Sequence, residues 1–118
     1  MRILNTSIRG EVSLELTAVE SRALRAAIGE VCFGFRVPDF DRVIGCTEDH
    51  ASGLFNRLDE FDLERPNKIT INRDDLRVLK NAHAETIREL GIQEYSTRTG
   101  VPLGDAQFLL EQVEMALT

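Results

Sequence analysis

The sequence predicts an α+β fold, mostly helical, in which two tandem β-α-α-α units (about 11–63 and 67–118) form one pseudo-twofold domain with a small antiparallel sheet. Three observations predict it. Residues 14–63 align on residues 69–118 without a gap, at a shift of 55 positions. Each unit begins with alternating apolar and polar residues, the period of a half-buried strand. Each unit then carries apolar residues at helical spacing, preceded by a helix cap.

The internal repeat, 14–63 and 69–118, is predicted from identical residues and from a shared spacing of apolar residues. Apolar residues align with apolar residues, as Leu14 does with Ile69. Two helical units of similar length can also look alike through periodicity alone, so that alternative stays open. A chain of 118 residues fits a single domain, 1–118. The residues that are identical at the shift are Arg22/Arg77, Leu24/Leu79, Ala27/Ala82, Glu30/Glu85, Gly45/Gly100, Ala51/Ala106 and Leu54/Leu109.

The two repeat strands are predicted to pair with each other. Glu11–Leu16 and Lys68–Asn72 both alternate apolar and polar side chains. A twofold axis brings equivalent strands together, so we expect them to pair antiparallel across it. Residues 1–8 are predicted to add a strand that folds back on the first through Arg9-Gly10.

Each long helix has a marked start. Thr17–Glu20 is a capping box, in which a hydroxyl and a carboxylate each satisfy a free backbone group. Asn72–Asp75 is the second unit's version, an Asn cap with Asp at the third helical position. The apolar stripe that follows runs from Val19 to Cys32 in the first unit and from Leu76 to Leu90 in the second, which predicts one long helix in each.

Two shorter helices follow in each unit. The first is predicted around Asp39–Ile44 and around Glu94–Thr99, with Pro38 suited to the first helical position. It ends at Gly45 and Gly100, since glycine tolerates the left-handed conformation at a helix exit. The last helix begins after Thr47 in the first unit and at Pro102-Leu103 in the second.

Charge and composition narrow the classes of function. The net charge is −6 and the isoelectric point is about 4.9, which argues against unaided binding to nucleic acid or to an anionic membrane. The cations are 12 Arg and 2 Lys, and arginine suits ion-paired contacts with other proteins. We expect a cytoplasmic protein without a membrane span, because there is no signal-peptide core and no apolar run of about 20 residues. Cys32 and Cys46 are interpreted as two small buried apolar residues.

The last two helices of each unit resemble a helix-turn-helix, which suggests a transcription-linked protein as an alternative. Gly45 and Gly100 stand in the turn, with apolar residues six and nine positions later. The candidate recognition helices argue against DNA, however. Residues 48–60 carry four acidic residues against Arg57, and residues 103–115 carry three acidic residues with no Lys or Arg.

The sequence contains few residue patterns that indicate a chemical activity. No catalytic, cofactor-binding or metal-binding pattern occurs, so the sequence predicts a protein that is not an enzyme and needs no cofactor. His83 aligns with Ile28 in the apolar stripe, and we expect it to be partly buried with a local hydrogen bond. His50 stands beside Glu48 and Asp49, but neighbours on a helix point in different directions, so they do not make a metal site by themselves.

The candidate interaction or interface residues are Arg22, Glu30, Arg77 and Glu85, the charged positions that both units keep. In the structural interpretation, each Glu accepts donors at the start of the following short helix and each Arg pairs with a carboxylate of the other unit. In the functional interpretation, they form a duplicated pair of binding sites for a charged partner. A polar cleft joining them would support a further alternative, an enzyme with a site at the repeat interface.

One stretch of the first unit resembles a group of small uncharacterised bacterial proteins. It runs Leu16-Thr17-Ala18-Val19-Glu20, then Leu24 to Cys32, and continues with Pro38-Asp39-Phe40. The resemblance implies a bacterial origin and transfers no activity. The function that the residues favour is a non-enzymatic, acidic protein-interaction module, either an adaptor or an immunity- or antitoxin-type inhibitor, with a protein as its partner.

Overall fold

The computed structural model describes residues 1–6 and 10–118. Within these residues the fold is mostly helical with one small antiparallel sheet, so the predicted α+β class is confirmed. In chain order the elements of the described residues are β1 (Arg2–Thr6), β2 (Glu11–Leu16), α1 (Ala18–Gly29), a π-helical turn (Glu30–Gly34), α2 (Phe40–Ile44), α3 (Glu48–Leu58), β3 (Asn67–Asn72), α4 (Arg73–Thr99) and α5 (Leu103–Leu117).

The sheet has the order β1-β2-β3, and both pairs of neighbours are antiparallel. The predicted pairing of the two repeat strands is therefore confirmed. In their register, Leu14 lies opposite Ile69 and Val12 lies opposite Ile71. Leu14 and Ile69 are also the residues that the 55-position shift aligns, so the register agrees with a twofold axis through this pair. The tandem repeat itself stays a prediction.

The predicted N-terminal strand is present as β1, which pairs with β2. All five residues of β1 are exposed, because β2 separates it from the rest of the sheet and the helices do not cover it. The turn predicted at Arg9-Gly10 lies only partly within the described residues, which exclude 7–9. Gly10 is described and has a positive φ of 80°, a conformation that suits glycine.

The helix caps follow the sequence closely. The Thr17 hydroxyl accepts the backbone N–H of Glu20 at 3.1 Å, and Glu20 Oε1 accepts the backbone N–H of Thr17 at 2.8 Å. Asn72 Oδ1 accepts the backbone N–H of Asp75 at 2.7 Å. Gly45 and Gly100 both end a helix with positive φ, 98° and 72°. These positions confirm both predicted starts and both predicted ends.

Of three further local predictions, two are wrong and one is confirmed. The first long helix does not run unbroken to Cys32, because it ends at Gly29 and continues as the π-helical turn. The second short helix is present as predicted, because the backbone breaks at Gly91, where φ is 68° and ψ is −173°, and a further helical segment within α4 follows and ends at Thr99. Pro38 does not open α2, because Asp39 precedes that helix in a left-handed conformation with φ 59°.

The hydrophobic core is one continuous cluster, to which β2, β3 and all five helices contribute. Helices therefore cover the apolar side of the β2–β3 pair, where Val12, Leu14, Leu16 and Ile71 are buried. Cys32 and Cys46 are only half-buried, which corrects the prediction that they are core residues. Within the part of the chain that is described, no helix is both long enough and apolar enough to cross a membrane.

Candidate functional site

The four charged residues chosen from the sequence do not form one site. Arg22 on α1 and Glu30 at the start of the π-helical turn line the same surface groove. Arg77 and Glu85 lie on α4 and contact residues of that helix: Arg77 Nη1 is 3.7 Å from Asp74 Oδ1, and Glu85 pairs with Arg88. The structure therefore brings Arg22 and Glu30 together in one groove, whereas Arg77 and Glu85 each contact a neighbouring residue of their own helix.

The groove that contains Arg22 and Glu30 is rich in arginine, and we call it the arginine groove. It lies where α1, α3 and the end of α4 meet, and its volume is about 360 Å³. Three guanidinium groups and one carboxylate line it, with an aromatic ring. The lining residues are Arg22, Arg25, Ala26, Gly29, Glu30, Phe55, Leu63, Arg98 and Thr99.

Glu30 crosses the groove to the other half of the chain. Its Oε2 lies 2.7 Å from Arg98 Nη2, and its Oε1 accepts a hydrogen bond from the same nitrogen at 3.1 Å. The expected contact with the start of the following short helix is therefore not the one formed. Gly34 makes room for this carboxylate, because a Cβ at position 34 would overlap with it.

Arg22 and Arg25 are also held by carboxylates. Arg22 Nη2 lies 3.4 Å from Glu64 Oε1, in the segment that joins the two units. Arg25 Nε donates to Asp59 Oδ1 at 2.9 Å. Each guanidinium of the groove thus has an internal partner that is wholly or partly exposed to water.

Two aromatic rings continue the arginine groove. Phe33 packs edge-on against Phe55, with ring centroids 5.4 Å apart and planes at 68°. The guanidinium carbon of Arg25 lies 6.0 Å from the centre of the Phe55 ring. Phe33 remains 68% exposed, although it is large and apolar. Within the described residues, the groove therefore combines arginine with an aromatic side chain that remains largely exposed.

A second depression, which we call the polar pocket, lies between the two halves of the chain. Its volume is about 370 Å³. His50 Nε2 is 2.6 Å from Asp75 Oδ1, and Asn72 Nδ2 donates to Asp75 Oδ2 at 3.2 Å. Asp75 is buried and His50 is exposed. The lining residues are Gly45, Cys46, Thr47, His50, Asn72, Asp74, Asp75 and Val78.

The His50–Asp75 contact is not predictable from the sequence. In the sequence His50 stands beside Glu48 and Asp49, whereas its actual partner lies 25 positions away on the first turn of α4. The sequence identified Asp75 only as a helix-capping residue. Nothing local in the sequence links the first turn of α3 with the first turn of α4, since the two meet only when the halves pack together.

Cys46 gives the polar pocket a thiol but not an activated nucleophile. Partial burial raises the pKa of Cys46, and the negative charge of Asp75 raises it further. The group therefore stays a neutral thiol near pH 7, and the thiolate is the nucleophilic form of cysteine.

A third depression, which we call the apolar cleft, lies between the start of α1 and α5, and its volume is about 240 Å³. It corresponds to the polar pocket under the 55-position shift. Where the polar pocket has Cys46, His50 and Asp75, the cleft has Val101, Asp105 and Glu20. The lining residues are Thr17, Val19, Glu20, Ala23, Val101, Asp105, Phe108 and Leu109.

His83 is wholly buried, which corrects the prediction that it is partly buried with a local bond. Its Nε2 lies 2.8 Å from the backbone oxygen of Ala106 on α5, and its ring meets that of Tyr95 edge-on with centroids 6.4 Å apart. Burial lowers the pKa of His83 and raises the pKa of Tyr95 to about 12. A neutral imidazole that donates from Nε2 fits this position, so His83 ties α4 to α5 within the core.

Within residues 1–6 and 10–118, no three His, Cys, Asp or Glu side chains are grouped so that they could hold a metal ion. The arginine groove is suited to binding carboxylate and apolar groups, and the polar pocket offers a histidine that a buried carboxylate orients. Comparison of this chain with protein-family models, with curated proteins and with solved structures finds no match.

Proposed function

We propose that this protein is a non-enzymatic protein-interaction module and that the arginine groove is its binding surface. The observation that carries the proposal is the exposed Phe33, which packs on Phe55 beside Arg22, Arg25 and Arg98. Aromatic and arginine side chains are enriched at protein interfaces and dominate their binding energy. An exposed phenylalanine held in place by a second ring also loses little conformational freedom on binding.

The charges of the groove indicate the chemistry of the partner. Arg22, Arg25 and Arg98 make ion pairs in which at least one member is substantially exposed. The exposed pairs of Arg22 and Arg25 contribute only about 0–1 kcal/mol each, so a partner's carboxylate can replace Glu64 or Asp59 at small cost. We therefore expect the bound segment to present one or more carboxylates next to an apolar side chain that packs on Phe33.

The alternatives are less well supported. The polar pocket contains a His–Asp pair but no activated nucleophile, which weakens the enzyme hypothesis. DNA binding would use α3 or α5, and the latter carries Asp105, Glu111 and Glu114 without a cation. An adaptor and an immunity- or antitoxin-type inhibitor both fit the groove. Free Cys32 and Cys46 suit the cytoplasmic setting that we propose for it.

The test is affinity capture with the tagged full chain in an extract of the native cell, followed by purification of the captured protein and a binding titration. Phe33→Ala should weaken the purified complex about tenfold or more, because truncation removes an interface anchor. Ile92→Ala is the matched control, since Ile92 is 84% exposed, apolar and outside the groove. That variant should bind as the unmodified chain does.

Two results would contradict the proposal. One is that the folded bait, checked by circular dichroism, captures no specific protein. The other is that Phe33→Ala and Ile92→Ala bind a captured protein equally well, which would place its binding surface elsewhere.

A further inference from the structure

We infer that the apolar cleft and the exposed face of α5 form a second interaction surface, which binds a basic amphipathic helix of a partner protein. In this complex an apolar side chain of the partner enters the cleft, and its Lys or Arg residues face the carboxylates of α5. This surface shares no residue with the arginine groove, so the inference does not depend on the function proposed above.

The walls of the cleft are suited to an apolar side chain. Val101 and Leu109 are buried at its base, and Val19 and Ala23 close it from α1. Phe108 stands beside it on α5 and is 61% exposed. A large apolar side chain placed there would cover Phe108 and the walls together, and the hydrophobic effect favours such burial at about 25 cal/mol per Å².

The exposed side of α5 extends this apolar surface along the helix. Phe108 and Met115 are seven positions apart, which places them on the same face at a distance of about 10 Å along the axis. Met115 is 75% exposed. Two apolar anchors two turns apart match the spacing by which an amphipathic helix presents its own apolar side chains to a groove.

The charge of α5 selects a basic partner. Asp105, Glu111 and Glu114 are exposed, and the helix contains no Lys or Arg. Among the described residues, none of these three carboxylates forms an ion pair with a cation of this chain. Complementary charge around an apolar contact sets the partner and speeds the encounter, so we expect Lys and Arg on the bound helix.

The apolar cleft differs from the polar pocket in having a carboxylate, that of Asp105, that a partner's cation can contact. In the polar pocket the carboxylate of Asp75 contacts His50 within the chain. At the corresponding positions of the apolar cleft, Glu20 and Asp105 are both acidic and cannot pair with each other. The Met1 ammonium and the Thr17 backbone N–H contact Glu20. Asp105 is left as the carboxylate at the rim that is available to a partner.

The experiment uses the full chain and a fluorescent helical peptide of about 18 residues, built from Leu and Lys with Leu on one face. Its control is the same pattern built from Leu and Glu. The basic peptide should bind in the micromolar range and the acidic peptide should not. Phe108→Ala should weaken binding about tenfold, and Asp105→Asn should weaken it several-fold at low salt.

Matched variants separate a specific site from general charge attraction. Ile92→Ala removes an exposed apolar residue and Glu94→Gln removes one exposed negative charge, and both positions lie outside the cleft. Each should change the affinity for the basic peptide by less than about twofold. Phe33→Ala should also leave it unchanged, so failure of the arginine groove and failure of this surface are distinguishable.

Amide chemical shifts of the labelled chain give the second measurement. Addition of the basic peptide should perturb the amides of α5 and of the first turns of α1. Absence of binding, equal weakening by the target and control variants, or perturbations spread over all acidic surfaces would overturn the inference.

Discussion

At the level of single residues, His83 illustrates what the sequence could and could not predict. Its place in an apolar stripe correctly indicated that it faces other helices. Its partner, the backbone oxygen of Ala106, lies 23 positions away on α5, and no local pattern indicates that contact. A buried imidazole has to remain neutral unless a charge compensates for it, so its environment decides its protonation state.

His83 makes the stability of the fold depend on pH. Burial lowers its pKa below the ordinary value of 6.5, so below that pH the unfolded chain binds a proton that the folded chain does not. The contribution of His83 is therefore complete above about pH 6.5 and is lost progressively as the pH falls. When the pH falls from about 7.5 to about 5.5, the unmodified chain should lose more free energy of unfolding than His83→Gln does, by at most about 1 kcal/mol.

Urea unfolding at the two pH values measures this difference. A glutamine side chain at this position can still donate to the Ala106 oxygen but does not titrate, so the variant separates protonation from the loss of a hydrogen bond. An equal loss of stability in both proteins would show that the pH dependence comes from other groups.

At the level of elements, the sequence predicted the helices and strands well and their irregularities poorly. The caps at Thr17 and Asn72 and the exits at Gly45 and Gly100 were predictable because each is a local interaction. The π-helical turn was not, because over five residues its apolar spacing hardly differs from that of an α-helix.

The contact between Glu30 and Arg98 requires a residue without a side chain at position 34, and a substitution of Gly34 tests this requirement. Ala at this position places a methyl group where the Glu30 carboxylate lies, so the side chain has to move and its contact with Arg98 is lost. We expect Gly34→Ala to destabilise the protein by about 1–2 kcal/mol, near the low end for a hydrogen bond between charged groups because Arg98 is partly exposed.

Gly53 supplies the control for this substitution. It lies within α3, and a Cβ added there would meet nothing within 4 Å. Gly53→Ala should therefore stabilise the protein by about 0.5–1 kcal/mol, through the higher helix propensity of alanine. Thermal unfolding of both variants measures the two effects. If Gly34→Ala were as stable as Gly53→Ala, Gly34 would not be needed for the Glu30 side chain.

The candidate site was only partly predictable for a related reason. Arg22 and Glu30 were identified because both units keep a charge there. Arg98 was missed because it lies 68 positions from Glu30, and Phe33 was missed because an apolar residue on a helix normally faces the core. Contacts between helices that are distant in the chain are decided by packing, which a local apolar pattern does not specify.

At the level of the whole molecule, both halves contribute to one core. Buried side chains of α1 and α3 form a single cluster with those of α4 and α5, and β2 pairs along its length with β3. Such a shared core leaves neither half a complete apolar interior of its own. We therefore expect the two halves to fold and unfold together.

Tyr95 provides a probe of this cooperativity. It is the single tyrosine, the chain has no tryptophan, and its side chain is fully buried in the second half. Urea unfolding followed by tyrosine fluorescence should give the same midpoint as far-ultraviolet circular dichroism, which reports on all the helices. A Tyr95 midpoint clearly displaced from the helical one would mean that the halves are separate folding units.

If the predicted tandem repeat reflects a duplication, the register of β2 and β3 has an evolutionary consequence. Residues on the two strands pair so that their position numbers add up to the same value, and Leu14 with Ile69 is one of the two central pairs. Leu14 and Ile69 are also equivalent under the 55-position shift, so the pairing has the form that two identical strands take about a twofold axis. An ancestral chain of about half the present length could thus have closed the same sheet by association of two identical molecules. After fusion of two such genes, the two halves could acquire different substitutions. The polar pocket would then have gained His50 and Asp75, and the apolar cleft Phe108 and Asp105.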